Sequence, residues 1–353
     1  MSERRSGTSA VQTQAQDNGA AVEDPGTPLA QRLLGANALW TFLILVGLVV
    51  FFTIAAPGTF LTQYDVTQIA TNAAIYLVLG VGMTFVIITG GIDLSVGSVL
   101  ILSGVLAAEY VAHHGGYKAG WPTIIVGILI SVATGTAWGV LQGFVCAKAK
   151  VPPLIVTLGG LGVALGVARI VTTGNDVAGG APNALVSTLG LGKLFGVIPW
   201  LVVVAVVCTV AFGLILAYTR FGRYTYAIGS NAEATRRVGI KVERQLIKVY
   251  ALSGAMAGIA GVMSLAFFHT TTIAGHSTDN LAVITAVVMG GTSLFGGRGS
   301  IVGTVIGVFI PAVLNSGLVI IGVQQYWQDV AVGVVLVFAV YLDQLRRRSR
   351  ERS

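Results

Sequence analysis

Of 353 residues, 54% are apolar and only 10% are charged, where a soluble globular chain carries about 25% charged residues. With 47 glycines beside that apolar majority and a mean hydropathy of +0.83, the composition excludes a soluble fold, a disordered chain and a coiled coil. The net charge is +7, and the placement of the 21 basic residues carries most of the topology.

Residues 1–35 are rich in Ser, Thr, Gln, Ala and Gly and read as a disordered cytoplasmic tail. The apolar run from Ala38 to Ala56 is too long for a signal peptide core and has no convincing cleavage site, so it is expected to remain as an anchor. Ten stretches approach the roughly 20 residues that a helix needs to cross a bilayer: 38–56, 67–89, 95–113, 122–145, 153–173, 198–218, 250–268, 281–295, 298–322 and 326–345. The 281–295 run is short and ends in Gly290-Gly291, so it reads as tilted, broken or re-entrant. Uninterrupted apolar runs such as Leu201 to Cys208 exclude the alternation of a membrane β-barrel. The expected fold is an all-α polytopic membrane protein with a membrane-spanning body over 36–345 and a basic tail over 346–353.

With the N-terminus inside, 18 of the 21 Lys and Arg fall on the cytoplasmic side, seven of them in the loop 219–249. Only Lys118 and Lys193 lie outside, and Arg169 sits near the outer end of a span. That asymmetry predicts ten spans with both termini in the cytoplasm.

The chain carries no phosphate-cradling Gly-Lys loop, His-Glu-x-x-His or Cys-x-x-Cys, so it has no ATPase site of its own and no metal is expected. Cys146 and Cys208 form neither a disulfide framework nor a zinc site, and His113, His114, His269 and His276 fall in expected outer connections without a completing ligand set. The spans offer neutral hydrogen-bonding groups instead, among them Asn72, Gln142 and Asn315, and the middles of the spans look free of charge. That disfavours an ion-coupled carrier and suits a neutral polyhydroxylated solute. Trp138 and Gln142, at i,i+4, share one helix face, as a stacking surface with an amide or as helix-packing residues. In Gly90 to Ser98, Asp93 or Ser95 either caps the following helix or borders the solute pathway.

The inner loop contains Ser230-Asn231-Ala232-Glu233-Ala234-Thr235-Arg236-Arg237-Val238-Gly239. Ser230 and Glu233 have capping-box spacing, Arg236 and Arg237 sit at the negative end, and Gly239 stops the helix. This predicts a separately capped helix over 231–238, about 12 Å long. It either lies on anionic lipid or, as its caps suggest, seats as a rigid knob in a partner's groove.

The stretch Gly222 to Ile240 resembles the coupling segment of the ribose-type permeases, the membrane subunits of bacterial ATP-binding-cassette importers for monosaccharides. Gly90 to Ser98 and Ala286 to Thr304, continuing to Asn315-Ser316-Gly317, resemble the same family. The resemblance covers about 38–345. It implies a pair of permease chains, ATPase subunits on the cytoplasmic face and an external solute-binding protein, with no nucleic acid and no cofactor. The capped helix would be the coupling helix, with Ser230, Asn231, Glu233, Arg236, Arg237 and Gly239 in contact with the ATPase. Asn72, Asp93, Ser95, Trp138, Gln142 and Asn315 are the candidates for the solute pathway. The chain departs from the family at Arg237-Val238, where a small residue or a Leu-Ser pair is usual, which implies an acidic residue in the ATPase groove. Permeases for nucleosides, polyols or furanosyl signals look alike at this level. An ion-coupled secondary transporter and a non-transporting scaffold are the readings from other classes.

Overall fold

A computed structural model describes residues 36–271, 273, 276, 279–324 and scattered positions between 327 and 341. The expected tails and most of the expected last span, 326–345, lie outside the described residues.

Apolar runs become helices because lipid offers no partner for backbone N–H and C=O groups, and a helix satisfies both within one segment. They are α1 (Ala36–Ala55), α2 (Gln63–Ile88), α3 (Val96–His113), α4 (Trp121–Lys148), α5 (Pro153–Thr172) and α6 (Trp200–Tyr218). Two short helices, α7 (Arg220–Ser230) and α8 (Ala232–Arg237), precede α9 (Val242–Phe268), α10 (Asp279–Met289) and α11 (Ile301–Ile320). Among the described residues, seven helices are long and apolar enough to cross a membrane, joined by the shorter apolar helices Trp40–Ala55 and Asp279–Met289. The only strands among them, Lys193–Leu194 and Ile198–Pro199, pair as one antiparallel hairpin.

The expectation of a short element near 281–295 holds: α10 has 11 residues, about 16 Å of rise against a core of about 30 Å. Turns over 290–300 then lead into α11. Helix α9 begins at Val242, eight residues before the expected span, so the inner loop is largely helical.

At the centre lies α2, whose most apolar stretch is 89% buried inside the chain, whereas α5 and α6 bury only 17% of theirs. The outward faces of α5 and α6 therefore meet lipid or another protein. Helices α4 and α9 pack most closely, along Ser131, Gly135, Gly139 and Gly143 on one side and Gly254, Gly258 and Gly261 on the other. A Cβ at Gly143 would come within 2.8 Å of the Ile247 Cα, and one at Gly258 within 2.8 Å of the Val132 Cα. Small residues every four positions allow this approach, and the Ser131 hydroxyl spends it on a 2.8 Å bond to the Gly258 carbonyl. The same seam carries Gln142 and Ser253 into the interior.

Candidate functional site

Helix α6 passes directly into α7, where the Thr219 side chain accepts from the Gly222 N–H at 3.4 Å. Gly222, Thr225 and Ile228 face inward on α7. Gln245 Nε2 on α9 donates to the Phe221 carbonyl (2.9 Å) and the Thr225 hydroxyl (3.1 Å), and Phe221 packs on Phe85 of α2. The Tyr226 hydroxyl donates to the Gly299 carbonyl at 2.7 Å. So α7 is fastened to α2, to α9 and to the turns before α11.

Helix α8 stands on α7. Asn231 is its N-cap, with φ −161° and its side chain accepting from the Ala234 N–H at 2.9 Å. Thr235 is the one buried residue of α8, and its hydroxyl reaches the Ala227 carbonyl of α7 at 2.9 Å. Gly239, at φ +85°, ends the helix, with the Ile240 N–H returning to the Thr235 carbonyl at 3.3 Å. Arg236 bridges Glu233 (3.0 Å) and Glu243 (2.9 Å), and the hydrogen bond and charge of Glu243, with Glu233 behind them, hold its guanidinium above its ordinary range. Arg237 lies 3.6 Å from Glu233 with its side chain 78% exposed.

Three segments far apart in sequence meet beside this platform. The Gly297 N–H donates to the Ile88 carbonyl at 2.8 Å, and a Cβ at Gly296 would lie 2.8 Å from the Gly229 carbonyl and 3.0 Å from the Gly90 N. Gly296 also has φ +84°, so glycine is required there twice over, by conformation and by space. The break after α2, the end of α7 and the turns after α10 form one contact.

Deeper in the bundle, Asp93 Oδ1 accepts from the Ser95 N–H (3.0 Å) and hydroxyl (2.6 Å), and Oδ2 accepts from the Ser253 hydroxyl (2.9 Å). The Ser95 oxygen in turn accepts from Gln142 Nε2 at 2.9 Å. Asp93, Ser95 and Gln142 are 2%, 0% and 4% exposed, so in this conformation no solute reaches them. A second buried cluster joins His276 Nε2 to the Ser264 hydroxyl (2.6 Å) and Nδ1 to Asp279 Oδ2 (2.5 Å), while the Tyr76 hydroxyl lies 3.5 Å from Asp279 Oδ1.

The family model described as the branched-chain amino acid transport system / permease component matches residues 66–340. The chain belongs to that family. It is 38% identical to the ribose import permease of Bacillus subtilis over 305 residues, 86% of this chain and 92% of that protein. The ribose import permease of Escherichia coli K12 is 37% identical over 88% of this chain and 94% of its own length, and the fructose import permease of Rhizobium meliloti 32% over 87% and 85%. No solved structure matches the chain. It is thus a transport component and a multi-pass membrane protein rather than an enzyme.

Against this permease, several sequence expectations need correction. Ser230 does not cap α8: it is the last residue of α7, and Asn231 takes the cap because its extended backbone points the amide oxygen at Ala234. The helix is accordingly six residues, 232–237, rather than 231–238. Ser95 makes no side-chain cap either. It is Asp93 that accepts the Ser95 N–H, in addition to tying α3 to α9. Two ionisable side chains are also more enclosed than expected. Asp93, at the junction of α2 and α3, faces Ser253 of α9, and His276, expected in an outer connection, is 4% exposed against Ser264. His276 itself lies inside the bundle, its backbone against Gly97 of α3.

Of the pathway candidates, Asp93, Ser95 and Gln142 form one network, and Trp138 lies one turn along α4 with Gly160 of α5 packed against both Trp138 and Gln142. The Trp138 Nε1 and Asn315 Oδ1 are buried without a hydrogen-bond partner among the described residues. Asn72 stands apart on α2, donating to the Gln68 carbonyl at 3.1 Å. Sequence reasoning missed Ser253 and the His276, Asp279 and Ser264 cluster. The three-residue spacing of His276 and Asp279 is the one signal that pointed there.

Proposed function

We propose that the chain is the permease subunit of an ATP-driven importer for a monosaccharide, with ten spans, both termini in the cytoplasm and α8 seated in the groove of a separate ATPase. A second permease chain completes the pathway, and an external binding protein delivers the sugar. The observation that carries the reading is the contact at Gly90, Gly229 and Gly296, which links a rigid, exposed, capped helix to both breaks in the bundle. Helix α8 is too short to stand alone, so a push on it passes through Thr235 to α7 and from α7 to the ends of α2 and α10. Movement of those ends would separate Ser253 from Asp93 and open the Asp93, Ser95 and Gln142 network to solute, with Trp138 and Asn315 supplying unspent polar atoms and Asn72 the wall on α2. The ribose and fructose permeases among its relatives support a monosaccharide as the solute.

The test is reconstitution in liposomes with the partner ATPase and binding protein. Labelled monosaccharide should accumulate only with ATP, and alanine at Asp93, Ser95 and Gln142 should change uptake kinetics. Uphill uptake by this chain alone, driven by an ion gradient, would overturn the reading.

A further inference from the structure

At the end of the bundle opposite α7 and α8 lies a cavity of about 310 Å³ between α4, α6, α9 and the short helical segment at 183–190. Its depth is graded. Trp121 and Thr188 are exposed at the mouth, while Leu185, Val262 and Met263 are buried at the floor. Apart from the Thr188 hydroxyl and the indole N–H groups of Trp121 and Trp200, every lining side chain is hydrocarbon or thioether. Such a lining repels a sugar, and an apolar cavity does not fill with water. A helix, about 10 Å across, does not enter a space of this size, whereas a single hydrocarbon chain does.

Two features place the mouth at the membrane surface. Trp121 and Trp200 begin α4 and α6, where indoles sit at the interface between lipid and water. The hairpin of Lys193–Leu194 with Ile198–Pro199 leads into Trp200, whose N–H donates to the Gly192 carbonyl at 3.2 Å. That hairpin exposes Leu191, Phe195 and Val197 beside the exposed Lys193, an apolar tip with one cation, as interfacial segments are built.

We propose that this cavity holds an acyl chain of an anionic glycerophospholipid from the leaflet opposite the coupling segment, with the lipid phosphate beside the Lys193 ammonium. The occupant braces α9 against α4 and α6, one residue from Ser264. The proposal needs only that the chain crosses a bilayer. It stands or falls apart from the importer reading.

The test uses the full chain in detergent, exchanged with phosphatidylglycerol bearing a photoactivatable group midway along one acyl chain, then irradiated and mapped by peptide. Adducts are expected within 185–189 and 259–263 of the native chain. Val204→Trp, which fills the cavity, should abolish them while leaving adducts on outward residues such as Leu158 and Val207. Lys193→Glu should lower capture in the cavity several-fold. Native-chain adducts confined to the outward residues, or cavity adducts undiminished in Val204→Trp, would overturn the site. Undiminished capture by Lys193→Glu would overturn the place given to the phosphate.

Discussion

Asp93 shows how much one side chain decides. Its carboxylate accepts three hydrogen bonds, from the Ser95 N–H and two hydroxyls, and so holds the break between α2 and α3 against α9. Asp93→Ala leaves those buried donors unpaired at about 1–3 kcal/mol each. Asp93→Asn keeps one acceptor, and the Ser253 hydroxyl can turn to accept from the new amide. Thermal unfolding of the solubilised chain should therefore rank native above Asn above Ala, and equal melting of Asn and Ala would refute the network. The sequence singled out Asp93 because it stands alone in an apolar run. It held no trace of Ser253 as the partner, since a serine in an apolar helix more often bonds its own backbone one turn back.

Among the elements, α8 is the most exposed to test. Capping by Asn231 is expected to contribute about 1 kcal/mol, lost in Asn231→Ala and kept in Asn231→Asp. Arg237→Glu places a carboxylate next to Glu233 and in the face proposed to meet the ATPase. Both Asn231→Ala and Arg237→Glu should leave membrane insertion intact and weaken co-purification of the ATPase, Arg237→Glu the more strongly. Normal recovery of the ATPase with Arg237→Glu would remove α8 as the docking element. The existence of this helix was legible from Glu233, the two arginines and Gly239. Its cap was not, because Ser230 and Asn231 are both good capping residues and the continuation of α7 through Ser230 leaves only Asn231 with the extended backbone a cap requires.

For the whole molecule, the expected orientation can be read from its two ends. Single cysteines at Val238 and Phe195, 76% and 89% exposed, stand at opposite ends of the bundle. In a background with Cys146 and Cys208 replaced by serine, an impermeant thiol reagent added to intact cells should label the Phe195 position, and the Val238 position only after lysis. The reverse pattern would invert the topology. Nine of the ten expected spans meet helices among the described residues, and seven of those helices are long and apolar enough to cross a membrane, since length and apolarity are read from each segment whatever its neighbours are. Their lengths were less legible: α9 grows inward by two turns because Gln245 bonds to α7, a tertiary contact.

By itself, the sequence determined that this chain lives in lipid as helices, which end carries the basic loop, and that this loop holds a short capped helix. Those conclusions follow from hydropathy, charge and capping, which act on each segment through its own solvent and its own backbone. Only the tertiary structure decided that Gly90, Gly229 and Gly296 touch, that Asp93 joins the start of α3 to α9, and that His276 turns inward onto Ser264. Those contacts depend on how closely backbones approach, and in lipid that is set by where glycines on different helices fall opposite one another in space.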